Sequence, residues 1–534
     1  MTPQVSSGHA AARQDRKYLV LTAMIFAVAM MFVDQTIVAI AVPYIQRGIG
    51  LSLVGSQWVI NGYLLALAAL FALGGKLSDV VGHRRMVLIG TVGFAATSAL
   101  CGATPAGRGA EAWLVTFRVL QGAFGAVLFP AALAIVVNSF EPRERGKALA
   151  IFFGVTGGLT SVGPIAGSFL LPWTWRAIFW INVPVALVAI VLTLMARPRD
   201  ERRSVPIDVP GAILVSAGMA LVVLGLQQAG QWGWGSAATW SAIVAGLVLL
   251  AAFVRFELRV PNPLLDLRIF AHRGFAADNA VLFLIAACFV PLFFFASVYA
   301  QVVLSYNAGK TGLYILVIFI GFAGGSQIGG RMLDRGGAKR PAIIGSAIGA
   351  VGFYLWGTHL HQGLGSQWYW IVLAGAGIGL SLTPTSTDAV NRAPRGSYGE
   401  VTGITQTVRY LASSLGLAVL GTILIDQNRS NVTHSLTHRG VPKAIAAHVA
   451  NSINAGASAA PKPGTNADRY LGIVQYDFAQ STRSVFIVMA GVMAVSFVVA
   501  LRRMQPGIPE EVATAEPAPR RPGDEPEPAP APAA

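Results

Sequence analysis

The sequence predicts an all-α polytopic membrane protein of fourteen transmembrane helices: two six-helix repeats with two helices inserted between them. Three observations carry this expectation. Apolar runs of about 20 residues recur along nearly the whole 534-residue chain, the length a helix needs to cross a ~30 Å hydrocarbon layer. Only 12% of the residues are charged and 54% are hydrophobic, with a mean hydropathy of +0.60, where a soluble domain carries about 25% charge. Two pairs of motifs recur at one offset, 254–255 residues apart. A soluble enzyme, a coiled coil, a collagen and a disulfide-rich secreted fold are excluded.

The spans lie near 18–43, 55–75, 86–103, 111–138, 147–170, 176–196, 209–229, 236–256, 275–304, 311–330, 340–360, 367–389, 398–426 and 483–501. Lipid offers backbone groups no hydrogen bonds, so each span is a helix or part of a closed barrel. The runs are continuous rather than strictly alternating, which selects helices. The first is too long for a signal-peptide core and ends without a small-residue cleavage site. Spans 7 and 8 interrupt the repeat. The division that follows is a cytoplasmic N-terminus 1–17, a six-helix bundle 18–196, a linker with the two additional helices 197–274, a second bundle 275–503 and a disordered cytoplasmic tail 504–534. The second bundle includes a polar external loop, 427–482, with a short helix expected near 441–454. Asn431-Val432-Thr433 in that loop matches a glycosylation sequon, a pattern short enough to recur by chance. The tail holds nine Pro and seven Ala in its last thirty residues.

The net charge is +15. The basic residues of the short loops are distributed unevenly. One side has Arg47, Arg108, Arg176 and Lys310; the other has 25, among them Arg16, Lys17, Lys76, Arg84, Arg85, Arg143, Arg197, Arg255, Arg331, Arg392 and Arg503. By the positive-inside rule both termini are expected to be cytoplasmic; a plasma-membrane location is a separate expectation. Orientation accounts for the charge, so no nucleic-acid partner is expected. Cys101 and Cys288 each lie inside an apolar run without metal-ligand spacing, and are read as free thiols. No metal or cofactor is expected. A composition rich in Ala, Gly and Arg suggests a GC-rich bacterial genome, hence a bacterial cell membrane.

The loop after span 2, Gly74-Gly75-Lys76-Leu77-Ser78-Asp79-Val80-Val81-Gly82-His83-Arg84-Arg85, aligns without a gap on Gly329-Gly330-Arg331-Met332-Leu333-Asp334-Arg335-Gly336-Gly337-Ala338-Lys339-Arg340. Gly125-x4-Pro130 likewise echoes Gly379-x4-Pro384. Parallel repeats are the layout of rocking transporters, with the substrate site between the halves near the midplane.

On these motifs the chain resembles the major facilitator superfamily, and within it the fourteen-helix drug:proton antiporter family, over about residues 18–503. Asp34-x-Thr36-Ile37-Val38, leading to Pro43, is similar to the family's acidic motif in span 1. Gly75 to Arg85 is similar to the superfamily's loop signature, and Arg118-x-x-Gln121-Gly122 to the arginine motif of proton-coupled members. Gly154, Gly158, Gly163-Pro164 and Gly167 resemble the antiporter motif, although Ser168 stands where the motif has a second glycine. Trp175-Arg176 with Phe179-x-Ile181-Asn182-x-Pro184 opens span 6 as in many members. Span 10 carries no acid before Arg331, which argues against dicationic substrates. The resemblance implies that the antiporter-motif face packs on a helix of the other half and limits leakage.

The residues can also be read singly. Asp34 lies roughly 15 Å below the external surface at 1.5 Å per residue. A charge there costs at least ~2.5–3.5 kcal/mol, so it faces a cavity, has a partner, or takes up a proton. It is the expected proton carrier, with Arg118, roughly 10 Å deep, as the cation that tunes it. Gly75, Asp79, Arg84, Arg85 and Asp334 form the expected cytoplasmic latch. Trp58, Asn61, Tyr63, Gln121, Phe124, Gln301, Thr383, Gln406 and Arg409 are the expected cavity residues. Asp278, Asp388, Glu400 and Asp426 lie near span ends and read as interfacial.

The expected function is a proton-coupled exporter of amphipathic drugs or toxic compounds, acting as a monomer by alternating access on small molecules, protons and the lipid bilayer. The alternative is a dedicated exporter of one endogenous metabolite, antibiotic or lipid; a non-transporting sensor is more remote. No G-x4-G-K-[ST] loop occurs, against an ATP pump, and no cluster of ionisable residues at one depth supports an enzyme. A single cysteine introduced into 427–482 should react with an impermeant maleimide added outside intact cells. Labelling only after the cytoplasmic face is exposed would reverse the orientation.

Overall fold

Several helices in this chain start where the sequence supplies a capping oxygen. Ser52 accepts from the Gly55 amide at 2.9 Å, Asp208 from Gly211 at 2.9 Å, and Asn307 from Lys310 at 3.0 Å, each satisfying an amide that the helix cannot. The computed structural model describes residues 5–140, 148, 151–152, 155–156, 158–159, 162–198, 208–360, 364–392, 398–454 and 466–507. Among these the elements are all helical: α1 Val5–Ile49, α2 Leu53–Val81, α3 His83–Gly102, α4 Ala110–Ser139, α5 Val162–Leu170, α6 Ala177–Trp180, α7 Asn182–Ala196, α8 Val209–Trp232 and α9 Ala237–Glu257. A 3-10 turn, Leu267–Ala271, precedes α10 Arg273–Val302, α11 Ala308–Gly336, α12 Lys339–Thr358, α13 Leu364–Asn391, α14 Tyr398–Thr437, α15 Lys443–Asn454 and α16 Asn466–Arg503.

Twelve of the described helices are long and apolar enough to cross a membrane, against the fourteen spans expected. The expected span 147–170 is interrupted by positions outside the described residues, and α5 is its longest continuous described stretch. The span 367–389 is helix α13, whose apolar stretch is diluted by glycines and by Thr383-Pro384-Thr385-Ser386-Thr387. The tail 508–534 also lies outside the described residues.

The polar stretch 427–482 differs from the loop expected of it. Helix α14 runs on to Thr437, α16 already begins at Asn466, and α15 lies between them. Hydropathy reports solubility in lipid and is blind to a helix that continues into water. The extension is tied by Ser435 Oγ donating to Asp477 Oδ1 at 2.9 Å and Asn431 Nδ2 donating to Ser481 Oγ at 3.1 Å. Val432, Leu436, Ala446 and Ala450 form a small apolar core of its own.

In the N-terminal half α2 and α3 pack on α4, and α1 on α7; in the C-terminal half α11 and α12 pack on α13, and α10 on α14 and α16. The halves meet where α14 lies on α2, α10 on α1, and α5 on α11. Side-chain bonds across this seam gather at the end of the bundle that charge assigns to the exterior. Ser297 Oγ and Gln301 Nε2 both donate to the Ile40 carbonyl at 3.4 Å, and Arg47 Nη2 donates to Gln301 Oε1 at 3.2 Å. The inserted α8 sits against both α2 and α14.

The backbone bears out the repeat in detail. A Cβ on Gly74 would overlap the Ala126 carbonyl of α4, and one on Gly329 would lie 2.7 Å from the Leu380 carbonyl of α13. The second glycine of each pair has room: Gly75 meets only Pro130 Cβ at 3.8 Å, and Gly330 nothing within 4 Å. The turns that follow use Gly82 at φ 109° and Gly337 at φ 81°, a region glycine adopts without steric cost. Gly74→Ala should therefore cost about 1–3 kcal/mol through forced separation of α2 and α4, while Gly75→Ala is tolerated. Thermal unfolding of the two variants in detergent tests this; equal Tm values would contradict the close approach.

Candidate functional site

Five helices of the N-terminal half converge on Asp34. It is fully buried midway along α1 and accepts three hydrogen bonds: Arg118 Nη1 at 2.6 Å, Gln121 Nε2 at 3.0 Å and Asn182 Nδ2 at 3.4 Å. Arg118 and Gln121 share a face of α4 at i and i+3, and Arg118 Nη1 also donates to Gln121 Oε1 at 2.7 Å. Arg118 Nε donates to the Val59 carbonyl of α2 at 2.8 Å. The guanidinium lies over the Tyr63 ring, 4.4 Å from its centre, and 5.8 Å from that of Phe179. Asn182 also donates to Ser98 Oγ at 2.9 Å, and Ser98 to the Phe179 carbonyl at 2.8 Å. An ion pair out of water is stable only when both members are also hydrogen-bonded, and here they are.

Asp34, Arg118, Tyr63 and Gln121 are thus brought together; the other expected cavity residues are dispersed. Asn61 hydrogen-bonds Gln227 of the inserted α8, whose amide, in the orientation that satisfies it, accepts from Trp58 Nε1 at 3.1 Å and Trp58 N at 3.2 Å. Phe124 packs against Gly93 of α3. Gln301 belongs to the seam between α1 and α10. Thr383 shares a 2.7 Å bond with Ser326. Gln406 is buried, with Oε1 lacking a partner among the described residues. Arg409 lies beside Phe289, its guanidinium 5.5 Å from the ring centre.

In the expected latch, Asp79 lies in the last turn of α2, 3.7 Å from His83 Nε2 at the start of α3. Arg84 is half-buried; Arg85 and Asp334 are exposed. Gly154 lies outside the described residues, as does the side chain of Pro164; Gly158 has nothing within 4 Å of a built Cβ. Gly163 and Gly167 do not face the other half as the resemblance implies. They face α1: a Cβ on Gly163 would strike Thr36, and one on Gly167 would lie 3.3 Å from Ile37 Cγ1. It is elsewhere on its surface that α5 meets α11.

Two acids read as interfacial are fully buried. Asp278 and Asp388 share Arg392, whose Nε lies 3.3 Å from Asp278 Oδ2 and 2.8 Å from Asp388 Oδ2. Each lies near a helix end as expected, but is held there by Arg392 rather than facing outward. Asp426 accepts from Trp234 Nε1 at 3.1 Å, and the Glu400 side chain lies outside the described residues. Ser98, Asn182 and Gln227 were missed as site residues, although an Asn and a Gln inside apolar spans were signal enough. Cys101 and Cys288 are free and buried.

The family model described as the Major Facilitator Superfamily matches residues 24–417. A tetracenomycin C resistance and export protein of Streptomyces glaucescens is 34% identical over 94% of this chain and 95% of the relative. The multidrug resistance protein Stp of Mycobacterium tuberculosis is 30% identical over 91% of each. Among solved structures, a bacterial homologue of the lysosomal transporter Spinster, inward-facing and unoccupied, superposes with a TM-score of 0.57 at 15% identity, covering 92% of this chain and 98% of that one. A D-xylose–proton symporter gives 0.57 at 13% identity over 91% and 98%. At these identities the structures establish the fold alone.

Removing one member of the buried pair leaves the other uncompensated. Arg118→Met should cost about 3–5 kcal/mol, and Asp34→Asn added to it should recover part of the loss. Thermal unfolding of the single and double variants checks this; a double variant less stable than the single would refute the coupling.

Proposed function

Because the chain belongs to the major facilitator superfamily, we propose that it is a proton-coupled exporter of amphipathic drugs or toxic compounds, working by alternating access in the bacterial plasma membrane. The observation that carries the reading is the Asp34–Arg118 pair: an acid and a base fully buried 2.6 Å apart, in a helical chain with twelve described spans. Intramembrane ionisable pairs mark proton and substrate paths. The export and resistance proteins that cover nearly the whole chain support the direction and the substrate class. The alternative, an exporter dedicated to one endogenous antibiotic or metabolite, draws on the same relatives, one of which is named for a single compound.

In this proposal Asp34 takes up a proton from outside and releases it inside, and Arg118 sets how readily it does so. A neutral Asp34 no longer balances Arg118, so the pair's hydrogen bonds rearrange with each proton. The seam bonds at the end assigned to the exterior, Ile40–Ser297 and Arg47–Gln301, support a stage closed outside and accessible from the cytoplasm. Asp79 and Asp334, at matching turns, are the proposed latch of the opposite stage. The protein acts as a monomer with both termini cytoplasmic and performs no covalent chemistry. The two additional helices brace the seam, since α8 touches both halves.

Asp34→Asn keeps the size and removes the titration. In everted vesicles it should abolish uptake of ethidium driven by an imposed pH gradient, while the protein remains folded and inserted. Nigericin, which collapses that gradient, should reduce wild-type uptake to the same level. Normal gradient-driven uptake by a well-expressed Asp34→Asn would refute the assignment.

A further inference from the structure

Arg409 is a cation in the C-terminal half with no acidic partner among the described residues. It lies eleven residues into α14, level with Phe289 at the middle of α10. Among the described residues its Nε is sealed from solvent without a hydrogen bond, and its guanidinium lies 5.5 Å from the centre of the Phe289 ring. One turn earlier, on the same face, Gln406 is buried with Oε1 unpartnered. A guanidinium has five N–H donors and no acceptor, and Arg409 Nε is a donor that the described residues leave unmet.

The surroundings are aromatic. Phe289 packs on Phe293 and Phe322 with ring centres 5.3 Å apart in each case, and Phe293 stacks on Phe319 at 4.6 Å. The repeat is broken at this point: Phe289 stands where the first half has Asp34, 255 residues earlier. The C-terminal half thus lacks the acid that neutralises Arg118, yet holds a cation beside a wall of rings.

We propose that Arg409 is an anion-binding subsite that takes the carboxylate of aromatic substrates, whose rings lie along Phe289, Phe293 and Phe322. The inference rests on the exporter reading and adds amphipathic organic anions to the compounds it handles. A carboxylate meets the planar guanidinium through two parallel hydrogen bonds, and the ring stays in apolar surroundings. The substrate supplies the counter-charge that the fold withholds. Export of a monoanion in exchange for protons moves positive charge inward at any stoichiometry, so an inside-negative potential assists it.

The test compares anthracene-carboxylate with its uncharged carboxamide in everted vesicles bearing wild type, Arg409→Gln or Arg409→Lys, alongside equilibrium binding of both probes to the purified proteins. Wild type should favour the carboxylate. The carboxylate-to-carboxamide ratio should fall roughly tenfold or more in Arg409→Gln, the scale of a lost charge-assisted bond, and fall less in Arg409→Lys. No preference in wild type, or equal loss of both probes in Arg409→Gln, would overturn the subsite. Should the vesicles move neither these probes nor ethidium, the exporter reading fails. Binding then judges the subsite alone: a weaker carboxylate complex in Arg409→Gln upholds it, and equal affinities overturn it.

Discussion

A charge cannot stay unbalanced in hydrocarbon, and that constraint organises the N-terminal half. Asp34 and Arg118 satisfy it with each other, but a bare pair is not enough, because desolvation of both ions offsets much of their attraction. The remaining valences are therefore met by Gln121, Asn182 and the Val59 carbonyl. Each of these partners comes from a different helix, α4, α7 and α2, with Ser98 of α3 holding Asn182 from behind. Five helices are fixed in register by one pair of charges. Apolar packing alone has no comparable specificity between helices in lipid, where tails are as apolar as leucine.

The C-terminal half repeats the backbone without repeating this chemistry. The close approaches at Gly74 and Gly329 and the positive-φ turns at Gly82 and Gly337 recur at one offset. These positions are set by sterics, where any side chain forces helices apart. Position 289 is under no such restraint, and holds a phenyl ring in place of a carboxylate. A repeat conserves what geometry demands; the two halves are then free to divide proton and substrate between them, as the proposed roles of Asp34 and Arg409 require.

How much of this was legible follows from what each signal measures. Long apolar runs and the echoed loops disclosed the membrane class and the repeat, since both are dictated by lipid and by backbone sterics. The span read at 367–389 is helix α13, although glycine and threonine make it too weakly apolar to stand among the twelve. The polar extensions of α14 and α16 escaped because hydropathy does not report helicity. At the site, Asp34 and Arg118 stood out as costly residues at similar depth, which fixed their pairing by energy alone. Trp58 and Asn61 turned instead to Gln227, because the inserted α8 covers a face that a twelve-helix plan would leave to the seam or to lipid. Spacing within one span cannot reveal a partner 166 residues away.

The glycines of α5 bear on how events at Asp34 reach the other half. Gly163 lies so close to α1 that a Cβ there would strike Thr36 and approach the Ile37 amide at 2.9 Å, within one turn of Asp34. Helix α5 also packs on α11 of the C-terminal half. It therefore touches both the turn that carries the acid and the opposing bundle. On the proton-coupled reading, loss of charge at Asp34 frees Arg118 and Gln121 to repack, and any shift of that turn of α1 meets backbone rather than a yielding side chain at Gly163. Contacts of that kind move together instead of deforming. The antiporter-motif glycines then act through their own half first: they transmit the state of the acid to the seam, where rocking takes place.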